Sequence, residues 1–143
     1  MDNNVRLLEK SDVCRTNFLH VQTFGQFLEM ADYISGSTYN YGIVLEIEQQ
    51  IVGYLIGQIV YESAEIFYIA VEPTFQGNGY AQKLVKSFIE KVEALTGEAI
   101  TLEVRTDNLA AIALYQNSGF VQIGRRKNYY GIGQDACMMQ YKI

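Results

Sequence analysis

Two short stretches hold the residues whose types and spacing could do chemistry. The first is 69–81, IAVEPTFQGNGYA. An apolar run over 64–71 ends at Glu72-Pro73. A loop then carries Gln76-Gly77-Asn78-Gly79-Tyr80-Ala81, and helical spacing begins at once. The first turn of a helix has unpaired N–H donors, and its dipole favours negative charge, so such a junction can hold an anionic group such as a phosphate. Glycine permits positive φ and lets the backbone come close to a ligand. The same glycines read equally well as a tight strand-to-helix turn with no ligand. The spacing Gly77-Asn78-Gly79 is not G-x-G-x-x-G, and G-x-x-x-x-G-K-[S/T] does not occur, which disfavours a Rossmann or P-loop nucleotide domain.

The second stretch is 101–120, TLEVRTDNLAAIALYQNSGF. Leu102 and Val104 alternate with Thr101, Glu103 and Arg105, as on a strand with two unlike faces. Glu103 reads as a solvated residue on a half-exposed strand. Yet the strand lies between two helical patterns and is therefore central and covered, and a carboxylate there needs a reason. Asn108 is among the best residue types for a helix N-cap. Tyr115, beside Leu114 and one turn from Ala111, has the spacing of a core aromatic.

The elements that must position these residues follow from periodicity. Residues 5–8 read as a short first strand. Asp12 reads as the N-cap of a helix through Phe18, and Phe24, Phe27, Leu28 and Ala31 keep helical spacing until Ser35-Gly36-Ser37-Thr38 breaks it. Residues 43–47 and 51–61 form an antiparallel hairpin about Glu48-Gln49-Gln50, and 64–71 is the next strand. From Gly79 onward Leu84, Val85, Phe88, Ile89, Val92 and Leu95 recur at three- and four-residue steps, so one helix face is buried. Thr96-Gly97 ends that helix, with Gly97 as its C′ residue. Residues 99–105 return as a strand. Asn108 opens a second helix that Gly119 closes. Residues 120–123 and 137–141 are final strands joined by a Tyr/Gly-rich loop. The fold class is α/β (α+β), a mixed sheet with helices packed on it.

The 143 residues are expected to form one domain over 1–143. Apolar content of 49% and charged content of 19% are those of a globular chain. A formal charge of −5 leaves no basic footprint for nucleic acid. Cys14 and Cys137 lie far apart and His20 is the one histidine, so no metal site is expected and none of the three receives a role. The N-terminal MDNNVRLLEKSD lacks a signal peptide's apolar core, and no apolar run approaches membrane-spanning length. A cytoplasmic protein with no membrane partner is expected.

In combination the motifs carry a resemblance. The pattern V-x-P-x-x-Q-x-x-G-x-A, at 71–81, is similar to the acetyl-CoA signature of the GNAT N-acetyltransferase superfamily. N-x-x-A-x-x-L-Y-x-x-x-G-F, at 108–120, is similar to that superfamily's last motif. More narrowly, 101–120 followed by RRKNYY and QDA resembles the RimI-type ribosomal-protein alanine N-acetyltransferases. The resemblance covers roughly 64–143. It implies a mixed, mostly antiparallel GNAT-like sheet that splays open near Val71 around acetyl-CoA. The pantetheine arm would meet the backbone of Ile69 and Val71. The pyrophosphate would lie on backbone N–H groups of Gly77, Asn78, Gly79, Tyr80, Ala81 and Gln82, with Gln76 shaping the loop and Asn108 touching the arm. It further implies Glu103 as general base, Tyr115 as acid toward the leaving thiolate and the Val71 N–H as oxyanion donor. The acceptor would be an amine, foremost the N-terminal α-amine of a protein such as a ribosomal protein.

Tyr129 and Tyr130 would line the amine groove, or simply pack within a tyrosine-rich loop. Residues 20–41, one wall of the groove in that family, lack its Phe-Pro-Trp opening, and Gln134 replaces an expected acidic residue. A lysine or small-molecule amine acceptor, and a non-catalytic CoA-binding module, stay open as alternatives. The oligomeric state is not legible.

Overall fold

The computed structural model describes residues 3–35 and 39–143. Ten elements follow in order: β1 (Asn3–Leu7), α1 (Val13–Phe24), β2 (Asn40–Ile47), β3 (Gln50–Val60), β4 (Ser63–Val71), α2 (Tyr80–Ala94), β5 (Ala99–Arg105), α3 (Leu109–Asn117), β6 (Val121–Gly131) and β7 (Gln134–Lys142). Single 3-10 turns stand at Lys10–Asp12, Met30–Tyr33 and Pro73–Phe75. All strands join one seven-stranded sheet in the order β1-β2-β3-β4-β5-β7-β6. Every neighbouring pair is antiparallel except β4–β5, which is parallel and bridged by α2. The mixed, mostly antiparallel sheet flanked by helices is therefore the architecture read from the sequence.

The sheet is covered on both faces. On one face α2 packs Leu84, Val85, Phe88 and Val92 against Leu45, Leu55 and Leu102. On the other Leu19 of α1 and Met30 pack with Val44, Tyr54 and Ile56. Strand β3 feeds both cores alternately, which is why its sequence is a continuous apolar run rather than an alternating one.

Four local expectations change. Helix α1 runs past Phe18 to Phe24 but stops there, because Gly25 takes the left-handed conformation at φ +73° and its N–H bonds to the Val21 carbonyl. The helical spacing of Phe27, Leu28 and Ala31 therefore belongs to a loop and one 3-10 turn. The break expected at 35–38 lies, over 36–38, outside the described residues. Asp12 precedes α1 without capping it; its carboxylate instead takes Arg6 Nη1 at 2.7 Å, Arg6 Nη2 at 2.9 Å and the Glu9 N–H at 2.9 Å. At the end of α2, Thr96 and not Gly97 holds positive φ (+59°). Gly97 is needed for space, since a Cβ there would stand 2.5 Å from Val92 Cγ1. Lastly, the Tyr/Gly-rich segment is strand: β6 runs on to Gly131, leaving 132–133 as the turn.

One irregularity shapes the sheet for function. Between β3 and β4 the register slips, with Ile56 opposite Tyr68 but Gly57 opposite Ile66, so Phe67 bulges out unpaired. Gly57 is what permits the bulge, because a Cβ on it would fall 2.1 Å from the Glu65 carbonyl oxygen. That neighbour is backbone and has no rotamer to yield. Gly57→Ala is expected to cost about 2–3 kcal/mol of stability. Gly124→Ala, whose new methyl meets only Met138 Sδ at 3.5 Å, is expected to cost little. Paired thermal or urea melts check this, and equal melting of the two variants contradicts it.

Candidate active site

Downstream of the bulge, β4 leaves β5. The parallel ladder runs only from Ser63–Ala99 to Ile66–Leu102; beyond it, residues 67–71 and 103–105 diverge. The Glu72 N–H donates to the Val52 carbonyl at 2.7 Å, toward β3. Strand alternation therefore turns the N–H and C=O of Ile69 and Val71 the other way, into the gap. The Val71 carbonyl accepts from Gln76 Nε2 at 3.0 Å, which ties the following loop to this strand end.

The loop arrives at α2 through two left-handed glycines, Gly77 at φ +81° and Gly79 at φ +78°. A Cβ on either would meet nothing within 4 Å. The conformation, not crowding, demands glycine here, and the space before the backbone is open. Gly79 is the N-cap and offers no side chain. The first intrahelical bond is Lys83 N–H to Gly79 C=O at 3.1 Å, so the N–H groups of Tyr80, Ala81 and Gln82 head the helix without a side-chain cap. Asn78 turns its amide back onto the Phe75 and Gln76 carbonyls, so it can offer a ligand only its backbone N–H. A cavity of about 180 Å³ opens over this turn, bounded by Val71, Gln76, Gly77 and Gly79 and closed by Leu114 and Asn117. No charged side chain lines it. Attraction for an anion would come from backbone donors and the helix dipole.

A second cavity, of about 200 Å³, lies where β4 and β5 part. Glu103, Asn108, Tyr115 and Tyr130 all line it, together with Phe24, Gln26 and Tyr68. Leu102 and Val104 enter the α2–α3 core, so Glu103 belongs to the opposite face, whereas Tyr115 rises from α3. The two meet because the gap perforates the sheet. The Glu103 side chain is 17% exposed, and its Oε1 takes Arg126 Nε at 3.1 Å. Its Oε2 is buried with no hydrogen-bond partner, which is rare for a carboxylate. Tyr115 is 5% exposed, and its hydroxyl forms no hydrogen bond to the described residues. Burial pushes its phenol above the ordinary tyrosine range, and Tyr130 adds to the shift. Asn108 Oδ1 caps α3 by accepting from the Ala111 N–H at 3.1 Å, which leaves its NH₂ as the group that could donate.

The tyrosine pair is placed by a wide bulge. Arg126 faces Ala136 and Gly131 faces Gln134, so residues 127–130 stand opposite Asp135 alone. Asn128 turns to φ +56° there. Its N–H donates to Asp135 Oδ1 at 2.9 Å, and its own Oδ1 accepts from the Gly133 N–H at 2.8 Å. Tyr130 reaches the cavity, and its phenol is pushed up to about 12 by burial and then by the Glu103 charge. Tyr129 stays outside, edge-on to Tyr130 at 4.9 Å, with the Arg126 guanidinium 5.6 Å over its ring. Its hydroxyl lies within hydrogen-bonding reach of the Glu103 carboxylate, and that contact, then the Glu103 charge, pushes its phenol up as well. Gln134 Oε1 accepts from Arg105 Nη1 at 3.1 Å, so it braces the rim.

Sequence reasoning missed Glu65 and Arg126. Glu65 sits opposite Thr101 in the parallel ladder and shares the face of Glu103, whose charge, after burial, weakens its acidity. That parity becomes visible only once the β4–β5 register is known. His20, given no role, is buried behind the cavity wall with Tyr68 edge-on at 4.7 Å, and burial lowers its pKa. Cys14 and Cys137 are free thiols. Among the described residues no group of three or more His, Cys, Asp or Glu could hold a metal, and no helix is long and apolar enough to cross a membrane.

Comparison with known proteins agrees with this geometry. The chain is 41% identical over 83 residues to the [ribosomal protein bS18]-alanine N-acetyltransferase of Haemophilus ducreyi, covering 58% of this chain and 57% of that one. It is 37% identical over 102 residues to the Salmonella typhimurium protein of the same name, covering 69% of each. These matches span between about half and two thirds of the relatives' own lengths. The crystal structure of the ribosomal-protein-S18-alanine N-acetyltransferase from Escherichia coli superposes with a TM-score of 0.87 at 28% identity, over 99% of this chain and 94% of that one. The model of the acetyltransferase (GNAT) family matches residues 9–120, and the chain belongs to that family.

Proposed function

We propose that the protein is an acetyl-CoA-dependent N-acetyltransferase whose acceptor is the N-terminal α-amine of a protein, a ribosomal protein being the model case. One observation carries the reading: Glu103, whose Oε2 is buried with no hydrogen-bond partner, lines the same cavity as Tyr115. Binding alone requires neither. The names of the bS18-alanine relatives support the acceptor class.

The residues fit acetyl-CoA. The open space before Gly77 and Gly79, over uncapped N–H groups of Tyr80, Ala81 and Gln82, suits its diphosphate. Ile69 and Val71 would hold the pantetheine amides along the gap, and the Asn108 NH₂ would donate to the same arm. When bound, acetyl-CoA supplies a thioester carbonyl open to nucleophilic attack. Glu103 takes the proton from the attacking amine, directly or through water. The Val71 N–H donates to the carbonyl oxygen as charge gathers on it. Tyr115 donates toward sulfur as the C–S bond breaks. A thiol titrates near 8.5 and Tyr115 above 10, so complete transfer from Tyr115 is uphill by at least ~1.5 units, or ~2 kcal/mol. Its part is therefore donation within the transition state.

Only a neutral amine attacks. At pH 7 an α-amine is roughly one-tenth neutral and a lysine about four in ten thousand, a gap of ~3.4 kcal/mol that favours the α-amine. A panel of N-terminal peptides, lysine peptides and polyamines, with thiol release followed, tests the acceptor. Release with free α-amines alone is expected; release only with lysine or polyamines moves the assignment. Acetyl-CoA binding without any release would make the chain a binding module.

Glu103→Gln and Tyr115→Phe are each expected to lower kcat about 10²-fold or more while acetyl-CoA affinity survives. Because the folded pKa of Tyr115 is raised, its proton is retained at neutral pH and lost only above pH 10. Turnover should therefore show no alkaline decline from Tyr115 between pH 7 and 10. A decline near pH 8–9 that Tyr115→Phe abolishes would remove its role. Asn108→Ala should cost about 1 kcal/mol of stability through the lost cap. Asn108→Asp keeps the cap, so it should melt like the parent but bind acetyl-CoA more weakly. Calorimetry and melting together read this, and unweakened binding by Asn108→Asp would leave Asn108 as a cap alone.

A further inference from the structure

The two oxygens of Glu103 have unlike surroundings. Oε1 is taken by Arg126 Nε at 3.1 Å, and Oε2 is buried and unpartnered. A carboxylate free to rotate on its strand would relieve the orphaned oxygen by turning toward water or a neighbour. The ion pair with Arg126 restrains that rotation, and the Tyr129 hydroxyl also lies within reach of the carboxylate. Arg126 is itself held in place. It stands in one row with Ala136 and Arg105 across β6, β7 and β5, and its guanidinium lies 5.6 Å over the Tyr129 ring. It also balances charge, because Glu65 and Glu103 share this face of the sheet and Arg126 opposes the upward push of the Glu103 charge on Glu65. At 53% exposed, its side chain supports no core, so its removal leaves the fold intact.

We propose that Arg126 is a positioning residue for the transfer reaction: by taking Oε1 it fixes the carboxylate of Glu103 and keeps Oε2 uncommitted as the proton acceptor. This rests on the reading of Glu103 as the base, and Arg126 acts only through it. Lysine at 126 would keep the charge but not the planar guanidinium that lies over the Tyr129 ring, so it would replace arginine only in part.

The test measures kcat and both KM values for the parent, Arg126→Ala, Arg126→Lys, Glu103→Gln and the Arg126→Ala/Glu103→Gln pair. The acceptor is the amine the parent acetylates fastest. Arg126→Ala should lower kcat about tenfold to a hundredfold, with the KM for acetyl-CoA moved less than about twofold. Arg126→Lys should recover part of the loss. In the Glu103→Gln background, Arg126→Ala should add less than about twofold, because its effect passes through the missing carboxylate. Parental kcat in Arg126→Ala overturns the inference, and so does an equal loss in both backgrounds. A lower amine KM with raised kcat overturns it too, by making Arg126 a competitor of the acceptor. Turnover by the parent with an unaffected Arg126→Ala sinks this inference alone. A parent that binds acetyl-CoA yet acetylates no amine sinks the reading of Glu103 first, and the role of Arg126 with it.

Discussion

The opening between β4 and β5 is the constraint on which the rest of the molecule depends. A fully paired sheet separates its two faces, and groups on opposite sides cannot share a reactant. Here pairing fails along half of one ladder, and among the described residues that ladder is the only parallel one. Its strands are joined through α2 rather than by a tight turn, so no hairpin forces their far ends together. The Phe67 bulge, made possible by Gly57, bends β4 away at the residue where the ladder stops. Backbone groups left unpaired in such a gap cost about 1–3 kcal/mol each when buried. One of them, the Val71 carbonyl, is met by Gln76. The bulk of the sheet, doubly covered around β3, supplies the stability against which this local loss is small.

The two faces divide the electrostatics. The chain is acidic overall, at −5, yet the cavity at the head of α2 is lined by no charged side chain. Its pull on an anion resides in aligned peptide groups, equivalent to about half a positive charge at the helix N-terminus. Titration of a side chain cannot remove it. The other side of the gap carries Glu65, Glu103, Arg126 and the tyrosine pair, and the Glu103 charge acts on Glu65, Tyr129 and Tyr130. A helix head of backbone donors and a face of interacting side chains are therefore held about one gap, without either charge set neutralising the other.

Much of this was legible in the residues. The apolar steps of α2 and the alternation of β5 place both elements, and the parity of β5 alone sets Glu103 off from the core. What escaped was decided by tertiary context. Gly97 looks like a cap, but its role is clearance beside Val92, and Thr96 carries the strained φ. The helical spacing after Phe24 is real in the sequence, but Gly25 ends the helix before it. The tyrosine-rich segment has loop composition, yet Asp135 bonds the Asn128 backbone and turns the irregularity into a bulge within a strand. Arg126 reads as one cation in a basic run, and only the β7–β6 register brings it beside Glu103.

For the proposed transfer, the wall beside Glu103 bears on the choice between an α-amine and a lysine. Phe24 and Tyr68 stack edge-on at 4.9 Å, with buried His20 behind them, neutral at pH 7 because burial lowers its pKa. Such a wall disfavours the charged form of an entering amine, whereas Glu65 and Glu103 favour it. The pairing of Glu103 with Arg126 weakens that second pull. The help needed at pH 7 is about one unit for an α-amine, ~1.4 kcal/mol, but about 3.4 units for lysine, ~4.6 kcal/mol. That difference of about 3 kcal/mol is the ground on which the proposal puts the α-amine first.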